Sequence, residues 1–214
     1  MKAKVSAILV LLTFFVLANG AAYAESELVK KFRRALNSKD FATMTILVQK
    51  NRNNIPSEVN ALVDEAFSPG AAADTRESMF TVAEFLADEY KNQTGDISLL
   101  KSVKVRIFES KLSKPVNPAL QDGVYTVESV SSDKVKNIFI PDNIIIKKGS
   151  TVRWVNNDNV AHLLASVPVI GGGGIFSPTI DPGSTWQYTF NKAGEYYYIC
   201  FIHKVMYGKV TVVE

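Results

Sequence analysis

The chain has 214 residues but a single cysteine and only two histidines. One thiol excludes a disulfide within the chain, so a hydrophobic core has to carry the stability that cross-links would otherwise lend. No run of Lys or Arg is longer than two residues, which leaves no polybasic segment for nucleic acid or an anionic membrane. There is no Ser-His-Asp arrangement and no phosphate-binding motif. Beyond the first 24 residues no stretch is apolar enough to cross a membrane.

The N-terminus has the grammar of an export signal. Met1-Lys2-Ala3-Lys4 is a basic start, and Ala22-Tyr23-Ala24 is a small-x-small cleavage site. Between them Val5 to Ala18 is an apolar run of about 14 residues, short of the roughly 20 that span a bilayer. Residues 1–24 are therefore expected to be a cleaved signal peptide, and the mature protein to reside in the periplasm. Without Lys2 and Lys4 the 24 basic residues become 22 against 21 acidic ones, a formal charge of +1. The odd thiol then enters an oxidising compartment, where it must pair with another molecule, react or be protected; metal ligation in an apolar pocket protects it.

The mature chain changes character near residue 115. Leu28, Phe32 and Leu36, spaced four apart, predict one helix. Asp40 opens a second that runs to Gln49, with Phe41, Met44, Thr45 and Val48 inward. Pro56-Ser57-Glu58 begins a third carrying Val59, Leu62, Val63 and Phe67. A fourth runs from Thr75 with Met79, Val82, Phe85, Leu86 and Tyr90 until Gly95, and Asp96 caps a fifth with Leu99, Leu100, Val103 and Ile107. Residues 25–113 thus read as an all-α domain of four to five helices, and residues 114–123, opening with Lys114-Pro115-Val116-Asn117-Pro118, as a linker. From 124 to 214 alternation and β-branched residues take over. Val124 to Val130, Ile138 to Ile140, Ile144 to Ile146, Val152 to Val155, Trp186 to Phe190 and Tyr196 to Cys200 read as short strands of an all-β sandwich.

The scarce residues fall together. Cys200, His203 and Met206 lie within C-F-I-H-K-V-M, and His162 precedes Cys200 by 38 positions. A thiolate, two imidazoles and a thioether suit copper, because sulfur ligands stabilise Cu(I) while imidazole serves both oxidation states. Three donors within one tight loop and a fourth from a distant strand require a fold to assemble them. Taken singly, each residue has an ordinary structural role open to it: Met206 as core filler, Cys200 as an inert buried thiol, His162 as a core histidine.

Residues from about Asn137 to Glu214 resemble the cupredoxins, the blue-copper proteins of the plastocyanin, pseudoazurin and amicyanin group. The resemblance is carried by F-I-P-D-N-I-I-I-K-K-G-S-T-V-R-W-V-N, by His162, by G-S-T-W-Q-Y-T-F and by A-G-E-Y-Y-Y-I-C-F-I-H-K-V-M-Y-G-K-V-T-V. The short C-x-x-H-x-x-M loop is most similar to that of amicyanin. The resemblance implies a Greek-key β-sandwich with one type 1 copper ion, Cu(I)/Cu(II), at one end. His162, Cys200 and His203 would be its strong ligands and Met206 the weak axial one. It further implies a one-electron carrier between redox partner proteins, with the edge of His203 as electron port and Phe201, Ile202 and Val205 in an apolar docking patch. Packing of Phe201 and Ile202 inside the domain is the alternative. The chain departs from the group at Leu163, where many relatives have Asn, at Phe201-Ile202, where Pro beside a small polar residue is common, and at the glycine-rich stretch from Pro168 to Gly174, read as a surface connection or a mobile lid.

Related copper enzymes, the nitrite reductases and multicopper oxidases, need further histidines for additional copper centres. With both histidines in one site, this chain is expected not to be an enzyme. A copper chaperone, store or sensor whose helical domain docks a partner is the alternative, and a helical domain that anchors a redox module to a larger complex is a third reading. Neither a nucleic-acid partner nor a membrane span in the mature chain is expected.

Overall fold

The computed structural model describes residues 25–131 and 137–214, so the expected signal peptide lies outside the described residues. The described chain divides into two compact units between Leu100 and Lys101.

The first unit is helical: α1 (Glu27–Asn37), α2 (Phe41–Lys50), α3 (Ile55–Ala66), α4 (Ala73–Thr94) and the first turn of α5 (Ser98–Glu109). Local chemistry sets the ends. Asp40 accepts the Thr43 N–H at 3.0 Å, and Asp96 accepts that of Ser98 at 2.9 Å. Gly95 ends α4 in the left-handed conformation at φ 76°, which glycine adopts without a Cβ penalty. The buried face of α1 centres on Val29, Phe32 and Ala35, with Leu28 and Leu36 at its margins. Phe41, Thr45, Phe67 and Phe85, expected to face inward, stand exposed. Helical period alone placed them, and neighbouring helices cover only part of each apolar stripe.

The second unit holds two four-stranded sheets among the described residues. The strands are β1 (Tyr125–Val130), β2 (Ile138–Ile140), β3 (Asn143–Lys147), β4 (Thr151–Asn156), β5 (Leu164–Ser166), β6 (Thr185–Thr189), β7 (Gly194–Cys200) and β8 (Tyr207–Val213). One sheet has the order β2-β1-β4-β6 and the other β3-β8-β7-β5. The inward residues of both, with Trp154, Tyr198, Phe139 and Phe190 among the bulkiest, form one core that also contains Cys200 and Met206. The β-sandwich that alternation predicted is therefore present.

The last turns of α5 belong to this unit. Phe108 packs edge-on against Tyr197 and Tyr207, with ring centroids 5.2 and 5.0 Å away. The Glu109 carboxylate accepts the Tyr197 hydroxyl at 2.8 Å and pairs with Lys209, which also meets Glu195 at 2.7 Å. Val116 forms a parallel bridge beside Ile144, fixing the proline-flanked segment to the edge of β3. Composition divides the chain at residue 113, thirteen residues beyond the compact-unit boundary. The difference arises because helical sequence does not reveal which core a helix joins.

Candidate metal centre

Strand register assembles the donors. β7 and β8 form a hairpin in which Ile199 faces Tyr207, so Cys200 to Met206 is its connecting loop. That loop closes on itself: the Cys200 N–H donates to the Met206 carbonyl at 3.2 Å, and the Met206 N–H to the His203 carbonyl at 3.0 Å. On the other side of β7, Leu164 of β5 lies opposite Cys200. His162, two residues earlier, exchanges backbone hydrogen bonds with Ile180 at 3.0 and 2.7 Å. Residues far apart in sequence thus meet at one end of the sandwich.

The geometry is that of a metal pocket. Cys200 Sγ lies 3.6 Å from His162 Nδ1 and 3.7 Å from His203 Nδ1, and the two Nδ1 atoms are 3.2 Å apart. A point equidistant from three atoms so separated lies about 2 Å from each, close to metal–nitrogen and metal–thiolate bond lengths. His162 and Cys200 are buried and His203 is half-buried. Met206 is buried in the same core cluster as Cys200. Soft sulfur with imidazole fits copper, and no carboxylate belongs to this donor group.

Electrostatics prepare the thiolate. Burial pushes the Cys200 thiol up, but its hydrogen bond with His162 and the N–H groups of Leu163, His203 and Ile202 outweigh burial and bring it down to about 6. Burial also pushes the His162 imidazolium down. Its hydrogen bond and attraction to Cys200, then to Asp158, overcome this and hold it above the usual histidine value. A soft anionic donor beside imidazole nitrogens is already in place.

Asn156 and Asp158 support the loop that carries His162. Asn156 is buried; its Nδ2 donates to the carbonyls of Val160 and Ile180, both at 2.8 Å, and its Oδ1 accepts the Asp158 N–H at 2.9 Å. Asp158 Oδ2 lies 3.3 Å from His162 Nε2. The signal in the sequence was an acidic residue four positions before a ligand candidate.

Comparison with known proteins agrees with this geometry. The profile of copper binding proteins of the plastocyanin/azurin family matches residues 126–213. Amicyanin-alpha of Methylorubrum extorquens is 33% identical over 98 residues, covering 44% of this chain and 78% of that protein. Plastocyanin of a Synechococcus species is 31% identical over 107 residues, covering 45% and 77%. The chain belongs to the plastocyanin/azurin family of copper-binding proteins. Amicyanin of Paracoccus versutus is 33% identical over 84 residues, covering 39% of this chain and 62% of its own length. Against the amicyanin of Paracoccus denitrificans the match spans 52% of that protein's length.

Within this cupredoxin unit the departures from the family acquire physical form. Where relatives use Asn after the first histidine, main chain joins the two ligand loops: the Phe201 N–H donates to the Leu163 carbonyl at 2.7 Å. Phe201 and Ile202 are 64% and 50% exposed, which removes the interior-packing alternative; with Val205 they surround His203 at the surface. The glycine run is there for close approach. A Cβ on Gly171 would fall 2.5 Å from the Glu195 carbonyl, and one on Gly172 would fall 2.6 Å from the Tyr196 ring.

Proposed function

We propose that the β-sandwich unit holds one copper ion among His162, Cys200, His203 and Met206 and acts as an exported one-electron carrier. The observation that carries this reading is the convergence of two imidazole Nδ1 atoms and the Cys200 sulfur within 3.7 Å of one another. A bound copper ion supplies the Cu(I)/Cu(II) couple. The chain's part is to hold the donors fixed. Three come from one hairpin loop and the fourth from a loop hydrogen-bonded to it, so a change of charge moves them little. His203, half-buried among exposed Phe201, Ile202 and Val205, gives the electron its way out and a redox partner an apolar surface.

Both histidines belong to the proposed site, leaving none for a second copper centre, which supports a carrier over a copper enzyme. The signal-like residues 1–24 support a periplasmic location. Among the described residues no helix is long and apolar enough to cross a membrane. Visible absorption, EPR and cyclic voltammetry of the copper-loaded mature protein test the reading. An intense visible band, narrow copper hyperfine splitting and reversible cycling are expected. Copper that passes readily to an acceptor protein, with no stable coloured state, would replace the carrier with a chaperone or store.

A further inference from the structure

We propose that Asp158 is a positioning residue for this centre: its carboxylate accepts a hydrogen bond from the Nε2–H of His162, fixes the tautomer whose Nδ1 faces Cys200, and makes that imidazole a better donor to Cu(II) than to Cu(I). This rests on the copper reading above. The Asp158 and His162 side chains are 2% and 0% exposed. A buried carboxylate without a partner is costly, and among the described residues His162 is the one ionic partner of Asp158. The loop itself uses only Oδ1, which accepts the Asn159 N–H at 2.6 Å; Oδ2 is aimed at the imidazole, 3.3 Å away. Asn156 holds the Asp158 backbone in place, so the carboxylate does not swing freely.

The imidazole has two nitrogens and, when neutral, one hydrogen. A carboxylate at Nε2 claims that hydrogen and leaves Nδ1 with its lone pair, as metal-bound histidines generally require. The hydrogen bond also draws positive charge off the ring, and a more electron-rich ligand favours the more highly charged ion. Asp158 therefore sets both the direction of the ligand and the balance between the two copper states.

The test compares wild type, Asp158→Asn and Asp158→Ala. Asn keeps an acceptor oxygen but removes the charge, and Ala removes both. The visible band should persist in Asp158→Asn while Cu(II) affinity falls about tenfold relative to Cu(I). That change equals a rise in midpoint potential of about 59 mV for one electron, and Asp158→Ala should shift it at least as far. In the metal-free wild type, 15N-resolved NMR should show a slowly exchanging Nε2 hydrogen on His162, which exchanges quickly in Asp158→Ala. Should the Ala variant fail to fold, Asp158→Asn alone carries the comparison. A coloured wild type with unmoved potentials in the variants overturns this proposal alone, as does a His162 whose Nε2 bears no hydrogen. A wild type that binds copper without colour overturns the copper reading instead.

Discussion

Tyr198 and Gly208 face each other across the β7–β8 hairpin, and the tyrosine ring fills the space a side chain on Gly208 would need. A Cβ there would fall 2.1 Å from the ring carbon Cζ. Tyr198 cannot retreat: it is buried between Trp154, at a centroid distance of 5.5 Å, and Phe139, at 5.1 Å. The loop that this hairpin closes carries Cys200, His203 and Met206, so packing two residues before the cysteine fixes the base of the metal pocket.

Gly208→Ala should therefore destabilise the β unit by about 1–3 kcal/mol through overpacking. The control is Gly173→Ala, which meets nothing within 4 Å and should stay within about 0.5 kcal/mol of wild type. Urea denaturation followed by tryptophan fluorescence separates them, because Trp154 and Trp186 both lie in this unit. Equal midpoints would contradict the packing argument.

Cys200→Ser should abolish the visible colour of the copper-loaded protein, since a hydroxyl cannot replace the thiolate that gives a blue site its band. Met206→Gln should retain copper and lower the reduction potential, because an oxygen donor in the weak axial position favours Cu(II). Spectroelectrochemistry reads both. Colour surviving in the serine variant would remove Cys200 from the site.

Glu109 links α5 to β7 and β8, and its contribution depends on pH. Burial raises its carboxyl, but hydrogen bonds from Lys209 and Tyr197 outweigh that and hold it below the usual carboxylate range. A carboxyl depressed in the folded state stabilises the fold above its unfolded pKa, and the benefit is lost as pH falls through the lower folded value. Its side chain is 43% exposed, so solvent screening limits Glu109→Gln to a loss of about 1 kcal/mol at neutral pH. The gap between wild type and variant should close as pH falls through the carboxylate range. A gap unchanged in strong acid would assign the effect to packing.

Asn156→Ala removes three hydrogen bonds at one buried point and leaves the Val160 and Ile180 carbonyls without this donor. A loss of about 2–3 kcal/mol is expected, together with faster copper release, because His162 is bonded to Ile180 in the same knot. Stopped-flow transfer of copper to a chelator measures the second effect. An unchanged release rate would show that the His162 loop holds itself.

Much of the site was legible because its chemistry is local. Cys200, His203 and Met206 lie within seven residues, a span that a hairpin loop provides, and the alternation of Trp186, Tyr188 and Phe190 marked the sheet around it. Asp158 was visible as a letter but not as a buried one. Asn-Asn-Asp ordinarily marks a solvated turn, and only packing against the strands takes Asn156 and Asp158 inside while Asn157 stays exposed. Phe108 was missed for a related reason. It lies one residue beyond the face expected for α5, and its partners, Tyr197 and Tyr207, are about ninety and a hundred residues away.

The sequence by itself determined the candidate donor set, the helix caps at Asp40, Gly95 and Asp96, and most strands of a sandwich, though not β5. Each of these depends on side-chain chemistry or backbone preference within a few residues. The tertiary structure decided where those pieces meet. Opposing Leu164 to Cys200 brings His162 to the thiolate, and the pairing of Tyr198 with Gly208 sets the hairpin that presents His203. Register is a property of hydrogen-bond ladders between distant strands and of the core that both sheets share. For that reason the identity of the candidate donor atoms was written locally, while their separation of 3.2 to 3.7 Å came only with the fold.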